Sequence, residues 1–169
     1  FISKPTSGDA LINGLDINTQ KDKIKEIVSI SPQESAFAPN LNIYQNLVFM
    51  GRIYGLTKKQ ADERAKELIK EFDLTKHEKK KAKNLSGGLK RRLSIAMAII
   101  SKPKILFLDE PTTYLDLAHQ IEILELLKDL NNKTKKTIVI VIHELNHAAR
   151  YAHHLVCMKK GNIYSQGEV

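Results

Sequence analysis

Lys104–Glu110, KILFLDE, is a short continuous apolar run that ends in two adjacent carboxylates. Thr137–His143, TIVIVIH, repeats the design and ends in a histidine. Both runs are continuously apolar and too short for buried helices, so both read as buried strands. Between them, Asp116–Leu130 has a helical pattern with Asp116 as the expected N-cap. Apolar strands that alternate with helices imply a parallel sheet covered on both faces. In such sheets ligands gather at the carboxyl ends of the strands.

Upstream, Lys23–Ile30 (KIKEIVSI) reads as another strand that leads into Ser31–Pro32–Gln33. Gln33, Asp109, Glu110 and His143 are therefore expected to converge on one rim of the sheet. Ala10–Asn13 reads as a short strand after the turn in Pro5–Asp9. The region between Gln33 and KILFLDE is helical. Ile43, Leu47, Met50 and Tyr54 share one face. A second helix starts at Thr57, where Gln60 completes a capping box, and its stripe is Ala61, Ala65, Leu68, Ile69 and Phe72. A third starts at Ser86 and runs through LSIAMAII. After His143 come a helix in ELNHAARYA and a hairpin from HLVCMK to IYSQG, turning at Lys160–Asn162.

A buried carboxylate is costly unless it is paired or metal-bound. Two at one strand end suit magnesium, which prefers oxygen ligands and sits between carboxylate and phosphate. Successive strand residues face opposite ways, so one of Asp109 and Glu110 can address the ion and the other a water. His143, on the neighbouring strand end, could donate a hydrogen bond to a phosphoryl oxygen. Ser86–Gly87–Gly88 opens a helix, where backbone N–H groups bind anions and missing side chains let a phosphate come close.

The remaining composition narrows the class. The net charge of +8 suits an anionic partner, although much of the excess lies in Lys76–Lys83, which reads as a solvated helix end or loop. One cysteine, Cys157, excludes an internal disulfide framework and reads as a buried strand residue. Met50, Met97 and Met158 read as core filler. His147, His153 and His154 lack the companion ligands of a metal site. No apolar run reaches the length of a membrane span, and the first twenty residues carry no signal-peptide pattern.

In this order the motifs resemble an ATP-binding-cassette (ABC) ATPase across nearly the whole chain. Gln33 matches the glutamine loop and Leu85–Gly88 (LSGG) the signature. ILFLD with Glu110 matches Walker B and the catalytic glutamate, Tyr114–Asp116 the D-loop, and His143 the switch histidine. The resemblance implies a P-loop NTPase (RecA-like) α/β fold. Residues 1–33 and 102–169 would form a partial ATPase core, and residues 34–101 an inserted helical subdomain. The implied cofactors are ATP and Mg2+. Asp109 and Gln33 would attend the metal, Glu110 would polarise the attacking water, and His143 would contact the γ-phosphate. Ser86, Gly87, Gly88 and Asp116 would serve a nucleotide held mainly by a second ATPase subunit.

The sequence holds no G-x-x-x-x-G-K-[ST] loop. KPTSGDALING, at Lys4, resembles the text that follows a P-loop helix, and the chain begins at Phe1. The expectation is a stretch of a longer ATPase, truncated at the N-terminus and inactive by itself. The other reading is a degenerate partner contributing only the trans half. Transmembrane permease subunits are the implied partners, at the cytoplasmic face of the membrane, with no nucleic acid expected. The C-terminal half resembles ATPases of iron–siderophore and cobalamin importers. FAPNLNIYQNLVFMGRIYGL and LSGGLKRRLSIAMAII, with Leu89 where glutamine is commonest, resemble ABC-2-type exporters. Iron-complex import is the leading expectation. The rivals are an exporter ATPase, a soluble ABC protein acting on nucleic acid, and a non-hydrolysing regulatory cassette.

Overall fold

A computed structural model describes residues 7–34 and 36–169. Pro5 and Thr6, part of the expected first turn, lie outside the described residues. Strands β1 (Leu11–Ile12) and β2 (Leu15–Asp16) pair antiparallel. Asn13 and Gly14 between them both have positive φ, 51° and 76°, as a tight two-residue hairpin turn requires. The stretch read as one strand over Ala10–Asn13 is therefore a two-residue strand and half of a turn.

Lys21–Ile27 forms helix α1, and only Val28–Ser31 forms strand β3. This corrects the strand expected from Lys23. Ile24, Ile27 and Val28 recur at three and four residues, which suits one helical turn, and Ile24 is buried there.

Helix α2 (Ile43–Ile53) starts at a reciprocal capping box between Asn42 and Gln45. Helix α3 (Lys58–Glu71) starts at the expected box between Thr57 and Gln60. The stripe Ala61, Ala65, Leu68, Ile69 and Phe72 is buried, as its spacing requires. Lys76–Lys83 passes through two short 3-10 turns, Thr75–His77 and Ala82–Asn84, with its lysines exposed and Ala82 buried. Helix α4 (Gly87–Ala98) is N-capped by Ser86 and runs through the core.

Strand β4 (Ile105–Asp109), helix α5 (Leu117–Thr134), strand β5 (Thr137–Val141) and helix α6 (Leu145–Tyr151) follow. Asp116 caps α5 as expected, its Oδ1 accepting from His119 N at 3.0 Å. Strands β6 (His154–Lys159) and β7 (Asn162–Glu168) form the terminal hairpin.

The sheet is parallel with strand order β3-β4-β5. Leu106 and Leu108 of β4 join the core with Ile95 of α4, Ile99 at its C-cap, and Ile123 and Leu127 of α5. Each fully buried side chain of this size contributes about 1.5–3 kcal/mol through removal from water. The opposite face is open: Ile30, Val139 and Val141 are 63%, 40% and 50% exposed. The expectation of a sheet covered on both faces, with TIVIVIH buried, is therefore corrected. Strand alternation sends Ile138 and Ile140 to the packed side, and the described helices leave the other side to solvent. Cys157 and Met158 are also exposed, not buried, because the hairpin strands that carry them lie at the surface. Met97 is buried and Met50 packs partly buried against the core.

Register decides what reaches the rim. Ser31 is level with Leu108, and Asp109 with Val141. Gln33 and His143, each two residues past its strand, and Glu110, one past its own, emerge together.

Candidate nucleotide-hydrolysis site

Glu110 is the centre of the rim. Its N–H donates to Val141 O at 3.1 Å, extending the β4–β5 ladder by one step. Its own φ is 43°, in the left-handed region, which costs a non-glycine residue about 1–3 kcal/mol and turns the side chain out of the strand's alternation. Thr113 N donates to Glu110 O at 3.2 Å and closes the turn that follows.

Three donors converge on this carboxylate. Gln33 Nε2 donates to Oε2 at 2.8 Å, Thr113 Oγ1 to Oε2 at 2.8 Å, and His143 Nε2 lies 2.7 Å from Oε1. The contacts to His143 first and Thr113 next hold the carboxyl below the usual glutamate range. Glu110 is thus an anion at neutral pH. A carboxylate offers about four acceptor positions, so three donors leave one for a water. The side chain is 22% exposed and that of His143 is 74% exposed, so water reaches both.

Asp109 is exposed, and among the described residues no hydrogen bond or ion pair engages its carboxylate. Gln33 uses its amide nitrogen on Glu110, which leaves the amide oxygen without a protein partner among the described residues. A carboxylate and an amide oxygen are hard donors of the kind magnesium takes, with waters and phosphate oxygens completing its shell. The donor set fits the ion. No group of three or more His, Cys, Asp or Glu is gathered among the described residues, and His147 instead lies 3.5 Å from Glu144.

Ser86, Gly87, Gly88 and Asp116 form a second grouping. Ser86 Oγ accepts from Leu89 N at 3.4 Å. A Cβ on Gly87 would meet Leu115 Cδ2 at 3.2 Å, and one on Gly88 would meet His119 Cδ2 at 2.2 Å. His119 Nδ1 approaches Asp116 Oδ1 at 3.0 Å without hydrogen-bond alignment. The start of α4 is therefore packed on the start of α5. Gly87 is exposed while Gly88 is buried, and the second glycine leaves the room that the His119 ring occupies. No hydrogen bond among the described residues joins Ser86 or Asp116 to the Glu110 grouping.

Three residues of these groupings are silent in the sequence reading. Thr113 stands three residues after Glu110, the spacing of a turn, and that was its available signal. His119 is the N3 residue of a helix capped by Asp116. Arg91 hides in a basic triplet, but it lies three residues after Gly88 and three before Ser94, on the helix's buried face. It is 6% exposed and its guanidinium donates to backbone carbonyls at the rim.

Comparison with known proteins agrees with this geometry. The family model described as ABC transporter matches residues 2–113. The iron(3+)-hydroxamate import ATP-binding protein FhuC of Bacillus subtilis is 37% identical over 98% of this chain and 64% of its own length. The linearmycin resistance ATP-binding protein LnrL of the same organism is 37% identical over 96% of this chain and 50% of its length. The chain thus spans one half to two thirds of these relatives. The structure of cbiO1 from Clostridium perfringens, part of the ABC transporter complex cbiONQ, superposes with a TM-score of 0.89 at 28% identity, covering 99% of this chain and 68% of that one. The α/β architecture is the P-loop NTPase fold, and the chain belongs to the ABC transporter family.

Proposed function

We propose that this chain works as the ATP-binding and hydrolysing subunit of an ABC transporter that drives import of an iron complex. The observation that carries the hydrolytic reading is the Glu110 carboxylate, which accepts from Gln33, Thr113 and His143 at the rim of a parallel sheet and keeps one acceptor position for a water. Glu110 orients and polarises that water. Asp109 and the Gln33 amide oxygen would hold magnesium, which would supply positive charge to the phosphoryl oxygens of bound ATP. His143 is exposed enough to turn its Nε2 from Glu110 to a γ-phosphate oxygen. Catalysis here is positioning and charge stabilisation.

Residues 34–101 act as a helical subdomain between the two parts of the ATPase core, 1–33 and 102–169. Its Ser86, Gly87 and Gly88, with Asp116, address the nucleotide of a second ATPase subunit. The 169 residues include no G-x-x-x-x-G-K-[ST] loop, so this stretch alone lacks a phosphate cradle and does not turn over ATP. Hydrolysis requires such a loop alongside it. Among the described residues no helix is long and apolar enough to cross a membrane. Separate permease segments carry the cargo, with this subunit at the cytoplasmic face and nucleic acid no part of its work.

Iron-complex import is supported by the likeness to an iron(3+)-hydroxamate import ATPase over nearly the whole chain. An exporter is the second reading, favoured by Leu89 in the signature and by the equal identity to a linearmycin resistance protein. Cells lacking the protein separate the two when assayed for labelled ferric hydroxamate uptake. Uptake lost in the deletion, restored by the wild type and not by Glu110→Gln, is the expected result. Unchanged uptake with new drug sensitivity would replace import by export.

A further inference from the structure

Arg91 is a buried cation that makes no ion pair with a carboxylate among the described residues. It is on α4, one turn from Gly87–Gly88, and its side chain crosses to the rim. Nη1 donates to Pro32 O at 3.0 Å, and Nη2 donates to Gln33 O at 2.7 Å and approaches Glu110 O at 3.5 Å. The same guanidinium therefore grips the backbone at the exit of β3 and meets that at the exit of β4. Burial disfavours its charge, and the Asp109 carboxylate opposes that effect. An apolar side chain would fill this space without the desolvation cost of a cation. What the guanidinium adds is direction, because a planar fork fixes several acceptors at once.

We propose that Arg91 is a positioning residue that sets the backbones of Gln33 and Glu110 from the signature helix. Any displacement of α4 is passed through it to the residues that orient the water. This role rests on the hydrolytic reading of Glu110.

The test uses full-length protein that carries a P-loop, with Arg91→Met, Arg91→Lys, Gln33→Ala and Glu110→Gln. Arg91→Met is expected to lower kcat about 10- to 100-fold, the scale of a misplaced catalytic group, with KM for ATP within about threefold. Arg91→Lys recovers part of the loss, since an ammonium keeps the charge but not the fork. Gln33→Ala combined with Arg91→Met loses less than the product of the two single effects, because one acts through the other. Should the Met variant not fold, the Lys variant decides: a lowered kcat at wild-type Tm supports the role. Wild-type kcat in the folded Met variant, or in Arg91→Lys when the Met variant does not fold, overturns it. So does full multiplicativity with Gln33→Ala. If Glu110→Gln also hydrolyses at the wild-type rate, the hydrolytic reading itself has failed. If the Arg91 variants keep wild-type kcat while Glu110→Gln is inactive, only the Arg91 role has failed.

Discussion

Gly88→Ala places a methyl group where His119 already stands. The added Cβ would lie 2.2 Å from His119 Cδ2 and 3.2 Å from Cγ, far inside contact distance. Either the imidazole rotates away from Asp116 or the first turn of α4 lifts from α5. Overpacking of this kind costs about 1–3 kcal/mol. Alanine in a helix returns up to about 1 kcal/mol relative to glycine. The expected net destabilisation is about 1–2 kcal/mol, which for a chain of this size lowers Tm by about 2–8 °C. Urea unfolding with a shared m-value measures it. Truncating the obstacle should then rescue the change. Gly88→Ala in a His119→Ala background should cost about 1 kcal/mol less than in the wild type, a coupling well above the usual scatter for independent sites. A stabilising Gly88→Ala, or additive effects in the double variant, would refute the claim that the missing side chain of Gly88 is what leaves room for His119.

His143→Ala removes the largest influence that lowers the Glu110 pKa, so the carboxyl should titrate at higher pH in the variant. A depressed carboxyl stabilises the fold above its ordinary titration range and loses that contribution as pH falls through the folded pKa; the variant therefore loses the His143 share at neutral pH. Carbon-detected NMR titration of the Glu110 carboxyl reports the shift, and an unmoved midpoint would count against the pairing. Asn46→Ala strips a fully buried amide that donates to Ala38 O, Leu41 O and Asn42 O and accepts from Ala38 N. Ala38 N loses its acceptor while the three carbonyls keep backbone donors, so the change should cost about 1–3 kcal/mol in denaturant unfolding, and a loss below about 0.5 kcal/mol would contradict this role of the amide.

Local chemistry was the legible part of this molecule. The box at Thr57 and Gln60, the caps at Ser86 and Asp116 and the strand KILFLDE follow from interactions within a few residues, and the structure realises each of them. The convergence of Gln33, Glu110 and His143 was also legible, because parallel strands with one register bring their ends to one rim. Lys23–Ile30 misled because a short apolar run satisfies both periods until a partner chooses between them. The exposure of Val141, Cys157 and Met158 depends on which layers cover the sheet and hairpin, a property of the tertiary arrangement and not of the strand. Arg91 was obscured by its type: composition sends an arginine in Lys90–Arg91–Arg92 to the surface, while helical phase sends this one inward. The left-handed backbone of Glu110 had no signal at all, since glutamate has no preference for it.

The central claim is that the Glu110 carboxylate orients the water that attacks ATP. Its most direct test is hydrolysis by full-length protein carrying a P-loop, wild type against Glu110→Gln, with ATP binding measured on the same samples. The amide keeps the size and the contact to Thr113 but cannot take or polarise a proton. The account predicts retained ATP binding with kcat lowered about 100-fold or more, the usual worth of a positioned general base. Hydrolysis by Glu110→Gln at the wild-type rate would contradict it.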